Sequence, residues 1–175
     1  DRIRRVVDRI LADDDASRGQ LAWALGCVDP RELIDSPPLR RWLERGASLP
    51  AVVRAALAQL AARLPNELGG ACCEELLSDS DPEVQVAAIA ASLNENHKAI
   101  LPARLAELAS APDPRVRAAA ASAACQAGVE LPDWLENFAG DPAWNVRLAL
   151  ARGLSAALAE TSWSPAALEV LQRDD

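Results

Sequence analysis

The chain has 175 residues, half of them hydrophobic, with a single Phe, no Tyr, no Met and a net charge of −8. That length accommodates one domain with a sizeable core, and its Ala- and Leu-dominated apolar content points to helix rather than strand. The acidic balance opposes a non-specific grip on phosphate backbones.

In chain order, the charged opening Asp1-Arg2-Ile3-Arg4-Arg5 carries no apolar run of a secretory signal. Ile3 to Leu11 reads as the first helix of a hairpin, and Leu21-Ala22-Trp23-Ala24-Leu25 as a degenerate second helix. A further second helix opens at Val53-Arg54-Ala55-Ala56-Leu57, near Pro50. Glu67 to Leu77, Ile100 to Ala109 and Pro132 to Phe138 form shorter first helices. Each is followed by one phrase: Asp81-Pro82-Glu83-Val84-Gln85-Val86, Asp113-Pro114-Arg115-Val116-Arg117 and Asp141-Pro142-Ala143-Trp144-Asn145-Val146. Pro in the first turn, behind an Asp cap, starts a helix at no hydrogen-bonding cost. Stepping back by thirty from Val146 gives Val116 and Val86 as the expected core register. Trp163 to Leu171 reads as one more first helix, after which Gln172-Arg173-Asp174-Asp175 resembles another turn. A period of about thirty residues with short polar linkers predicts stacked antiparallel hairpins. The expected fold is an all-α, right-handed α-solenoid of about five hairpins plus an extra C-terminal helix, as a single domain over 1–175. The lack of any Met suggests a fragment or a processed chain.

The Asp-Pro-x-x-x-Val-Arg-x-Ala pattern, fullest in Asp141 to Ala149, resembles the HEAT-repeat family, in particular the bacterial HEAT-like repeats of the phycobilisome-lyase type. The resemblance implies a ladder in which turn aspartates and helix arginines join adjacent repeats. Its candidate members are Asp81, Asp113 and Asp141 with Arg54, Arg117 and Arg147. Only Asp141 and Arg147 keep the six-residue spacing; Ala111 stands where an Asp would precede Arg117, Ser48 stands six before Arg54, and Ala87 occupies the expected Arg position.

Chemistry-bearing residues are few. His97 is the only histidine and falls in a polar linker, which excludes the paired His-Glu metal sites of HEAT-like hydroxylases. Cys27, Cys72, Cys73 and Cys125 lack C-x-x-C spacing, so neither a disulfide framework nor a zinc site is signalled. Cys72-Cys73 reads either as a redox or thioether pair or as core thiols, and free thiols fit a reducing cytoplasm. Counting 100° per residue places Gln59, Ser92, Ser122 and Arg152 opposite the core on the second helices, a small polar column expected to line the concave side. Arg115 lies off the arginine column and faces solvent. Trp144 stands near a turn, either exposed at one rim as a contact residue or filling a gap between hairpins; Trp42, Trp134 and Trp163 share that ambiguity. Arginines on second helices and carboxylates on first helices predict two sides of unequal charge.

No catalytic constellation, metal shell or cofactor emerges. The reading is a bacterial, cytoplasmic, non-enzymatic module for protein–protein interaction or scaffolding, with neither membrane nor nucleic acid as the favoured partner. A HEAT-like DNA glycosylase or other nucleic-acid-binding array is the first alternative, and a bilin lyase-like subunit the second.

Overall fold

The computed structural model describes residues 2–13, 15–27, 29, 37–64, 66–94, 100–127 and 134–159. Among them the regular structure is entirely helical: α1 (Arg2–Ala12), α2 (Arg18–Gly26), α3 (Pro37–Arg45), a 3-10 turn (Gly46–Ser48), α4 (Ala51–Ala61), α5 (Asn66–Leu77), α6 (Pro82–Ser92), α7 (Leu101–Ala109), α8 (Pro114–Gln126), α9 (Trp134–Ala139) and α10 (Trp144–Ala159). Among the described residues successive helices pack in pairs as the repeat period predicts, α1 with α2, α5 with α6, α7 with α8 and α9 with α10, while α3 leads into α4 through the 3-10 turn. The expected helix over 163–171 lies outside the described residues, as does His97.

Two compact units divide the chain, Asp1–His97 and Lys98–Asp175. Within the first, α2 packs on α4 and α4 on α6, α1 lies against α2 and α3, and α5 against α4 and α6. Within the second, α8 packs along α10, α7 packs on α8 and α9, and α9 also meets α8 and α10. The second helices are rich in alanine, so their backbones approach closely: Ala58, Ala61, Ala88, Ala120, Ala121 and Ala124 are all fully buried. Trp42 and Phe138, at 2% and 0% exposure, are the largest buried side chains. Among the described glycines the tightest surroundings are at Gly153, where an added Cβ would lie 2.7 Å from the Cys125 Cβ. Gly46 turns the end of α3 toward α4 with φ at +45°, a left-handed conformation costly to residues with a Cβ.

Helix starts follow from local hydrogen bonding. Ser17 and Gln20 form a reciprocal capping box on α2. The Asp81 and Asp113 carboxylates cap α6 and α8 by accepting from the Glu83 and Arg115 backbone N–H groups, interactions that contribute about 1 kcal/mol each. Prolines occupy the first turn of both helices, as expected.

The Asp-Pro phrase of α10 starts differently. Asp141 accepts from the Ala143 N–H, and it is the Ala143 carbonyl that receives the Val146 and Arg147 N–H groups. Pro50, Asp81 and Asp113 play that carbonyl's part for Val53 and Arg54, Val84 and Gln85, and Val116 and Arg117. The equivalent core residues are therefore Val53, Val84, Val116 and Val146, each 0% exposed. This corrects the expected register at Val86, which is only half-buried. The cap carbonyl, rather than the proline, sets the helical phase, and in α10 it lies two residues further from the Asp-Pro pair.

One placement falls with that register. Ser92, expected opposite the core, is 0% exposed, and its hydroxyl donates to the Ala88 carbonyl at 2.8 Å. It lies eight residues after Val84, a position held elsewhere by buried Ala61, Ala124 and Leu154. The outward position, six after the valine, is occupied by Gln59, Ala90, Ser122 and Arg152. Of these Gln59, Ala90 and Arg152 are exposed, while Ser122 is half-buried and accepts from the Gln126 side-chain amide.

Candidate functional site

Each unit is fastened by one arginine reaching from a second helix to the turn ahead of the next. In the first, Arg54 donates through Nε and Nη2 to the two Asp79 carboxylate oxygens at 2.7 and 2.8 Å, and through Nη1 to the Leu49 carbonyl. In the second, Arg117 grips Asp141 in the same bidentate way at 2.6 and 2.9 Å, with Nη1 on the Ala111 and Pro112 carbonyls. Planar, paired N–H groups meeting two carboxylate oxygens give directional as well as electrostatic hold. Asp79 also accepts the Asp81 N–H at 2.8 Å, so one carboxylate orders its own turn and clasps the preceding helix.

The charges respond accordingly. The Arg117 hydrogen bonds hold the Asp141 carboxyl below the ordinary carboxylate range, against the opposing pull of burial. Burial works against ionisation of Asp79, but the Arg54 hydrogen bond, the Asp81 N–H and the guanidinium charge outweigh it and its pKa falls. Both arginines are shifted up by the same bonds.

The expected ladder is thus realised with a different membership. Asp141, Arg54 and Arg117 belong to it. Asp81 and Asp113 do not accept the column arginines; they cap helices, and Asp113 is paired with Arg115 at 2.9 Å. Asp79, which sequence inspection passed over, takes the place expected of Asp81. Its signal was available, since Asp79 lies two residues ahead of the α6 cap just as Asp141 lies two ahead of Ala143. Arg147 keeps the backbone half of the arrangement, donating through Nη1 to the Asp141 carbonyl at 2.6 Å and to the Pro142 carbonyl at 3.2 Å. At the arginine position of α6, Gln85 donates instead to the Leu77 carbonyl.

Exposure separates the remaining candidates. Trp144 is 68% exposed at the start of α10, which places it among the rim alternatives rather than the gap-fillers; Trp42 is the converse. Trp23, not singled out from sequence, is 49% exposed on α2. The side chain of Trp134 and all of Trp163 lie outside the described residues. Arg115 is exposed, as expected, but held by the Asp113 carboxylate, whereas Arg152 projects from α10 into solvent.

The thiols offer no reactive centre inside the core. Burial pushes Cys72 up to about 12, assisted by the charge of Cys73, and lifts Cys73 and Cys125 to about 11. Such thiols stay protonated and poorly nucleophilic near neutrality. A 390 Å³ pocket in the first unit is lined by Trp42, Leu57, Cys72, Glu75, Ser78 and the Arg54–Asp79 pair among others. Its one strong cation is already matched by a carboxylate, so it presents no uncompensated charge from Arg54 to a ligand. Among the described residues no cluster of His, Cys, Asp or Glu could hold a metal ion, and no helix is long and apolar enough to cross a membrane.

Residues 101–175 match the family profile of HEAT repeats. No curated protein and no solved structure shows significant similarity to the chain. The fold is all-α and HEAT-like, with paired helices and the same register in all of α4, α6, α8 and α10.

Proposed function

We propose that the chain is a non-catalytic module that binds a protein partner or scaffolds an assembly, and that the contact surface includes the exposed face of α10 around Trp144 and Arg152. The observation that carries this reading is Trp144, a large aromatic left 68% exposed in a chain with only five Trp and one Phe. Trp and Arg are the residues most often found to dominate interface energetics, and stacked helical repeats provide extended surfaces for such contacts. Helices α8 and α10 carry Arg115, Arg117, Arg147 and Arg152 with no carboxylate of their own. Asp113 and Asp141 compensate two of these, which leaves the α10 side cationic and suited to an acidic protein segment.

The same pairing speaks against a phosphate-binding array, because the ladder arginines are spent on carboxylates and main-chain carbonyls. Buried, proton-bearing Cys72, Cys73 and Cys125 do not support thioether attachment of a bilin. The test is affinity capture from native lysate by the wild-type chain and by Trp144→Ala and Arg152→Glu in parallel. The reading expects the same partner to be lost or weakened by both substitutions. Undiminished capture by both variants would remove α10 from the interface, and salt-sensitive retention on duplex DNA at low ionic strength would favour the nucleic-acid alternative.

A further inference from the structure

The 390 Å³ pocket of the first unit lies where α3, the 3-10 turn, α4 and α5 converge. Its wall is apolar: Trp42 of α3, Leu57 of α4, and Cys72 and Leu76 of α5 are all buried. Such a volume and lining suit a small molecule, with a few polar groups deciding which chemistry enters.

Three charged side chains line the pocket, Arg54, Asp79 and Glu75. Arg54 and Asp79 cancel as an ion pair, and the Nε, Nη1 and Nη2 of Arg54 are each already donating. Glu75 is exposed, and among the described residues its carboxylate has no hydrogen-bonded or ion-paired partner. Two observations fix that charge at the pocket. Cys72, Glu75 and Leu76 share one face of α5 by their spacing, and the Glu75 charge adds to the burial and the Cys73 charge that raise the Cys72 thiol. From the opposite side, a Cβ built on Gly46 would lie 3.4 Å from Glu75 Oε1, so the start of the 3-10 turn borders the same carboxylate.

The pocket therefore sets one surplus negative charge beside an apolar wall. An anionic ligand would be repelled by Glu75 and would find Arg54 committed elsewhere. A neutral apolar ligand would cover the carboxylate without pairing it, which costs free energy. A monocation with an apolar body meets both requirements. We infer that this pocket binds a small organic amine, whose ammonium pairs with Glu75 and whose ring lies against Trp42, Leu57 and Leu76. The site is separate from the α10 surface, in the other unit, so its failure would leave the partner reading standing.

The experiment titrates benzylammonium, benzyl alcohol and benzoate into the full chain and follows backbone and indole N–H resonances by NMR. Benzylammonium should give saturable shifts confined to α3, the 3-10 turn, α4 and α5. It should bind about fivefold more tightly than the nearly isosteric alcohol, the upper range for a partly exposed ion pair, with benzoate weakest. Glu75→Gln should lower benzylammonium to the affinity of the alcohol. Glu74→Gln, on the same helix but outside the pocket, should leave it unchanged, with far-UV circular dichroism as the check that both variants fold. No saturable shift, equal affinity for the three probes, or indifference to Glu75→Gln overturns the proposal. Nα-acetyl-lysine methylamide binding as tightly as benzylammonium would also overturn it, by giving the pocket to a lysine side chain of a protein.

Discussion

The two units use the same clasp but mark it differently in sequence. In the first, the Asp-Pro pair supplies the helix cap, Asp81, and a separate aspartate two residues earlier, Asp79, takes the arginine. In the second, the α10 Asp-Pro pair supplies the clasp itself, Asp141, while an alanine carbonyl starts the helix. Identical dipeptides therefore hold different structural offices. What is constant is the distance of the carboxylate from the first accepting carbonyl, because that distance fixes where the side chain lies when the preceding helix arrives.

A close approach between α8 and α10 in the second unit yields the largest expected effect. Gly153→Ala should destabilise the second unit by about 1–3 kcal/mol through overpacking, since the new Cβ falls 2.7 Å from Cys125 Cβ. Gly19→Ala in α2 has open space around it, so it should be neutral or stabilising by up to about 1 kcal/mol. Chemical denaturation of both variants reads the contrast, and equal effects would dissolve it.

Next in size are the clasps. Arg117→Ala and Arg54→Ala should each cost about 1–3 kcal/mol, because each strands a carboxylate and several hydrogen bonds. Amide exchange should accelerate in α8 and α10 for the first and in α4 and α6 for the second.

Acid sensitivity should follow. Asp79 and Asp141 have folded pKa values below the ordinary 3.8, so their contribution is complete above that value and is lost as pH falls through their folded values. Asp79→Asn and Asp141→Asn should each flatten the acid limb of the stability curve. An acid limb as steep as in the parent would detach these carboxylates from the account.

The smallest effect is expected at Ser92. Ser92→Ala removes one internal hydroxyl-to-carbonyl bond but installs the residue found at the matching positions Ala61 and Ala124, so stability should change by less than about 1 kcal/mol. A larger loss would show that the hydroxyl bond to the Ala88 carbonyl matters more than the register position.

The hairpins were legible because helix formation, capping and proline placement are local: the spans at Glu67 to Leu77 and Ile100 to Ala109 need only their own residues to be read. The register was not. Stepping by thirty selected Val86, whereas the repeats are 31, 32 and 30 residues apart at Val53, Val84, Val116 and Val146. A two-residue error turns a helix by more than half a revolution, and that is what carried Ser92 to the wrong face. Asp79 was hidden for the same reason, since Ser80-Asp81-Pro82 draws attention to the cap rather than to the residue that reaches the arginine. Trp144 was legible as an outlier among few aromatics, though only its surroundings decide that it points outward.

The most direct test is a pair of double-mutant cycles in which Arg117→Ala is combined with Asp141→Asn and, separately, with Asp113→Asn, each scored by denaturant unfolding. The account predicts a coupling of about 1–3 kcal/mol between Arg117 and Asp141 and much less between Arg117 and Asp113. Equal coupling, or a stronger one to Asp113, would return the clasp to the Asp-Pro phrase itself and contradict the register on which the assignment of every second helix rests.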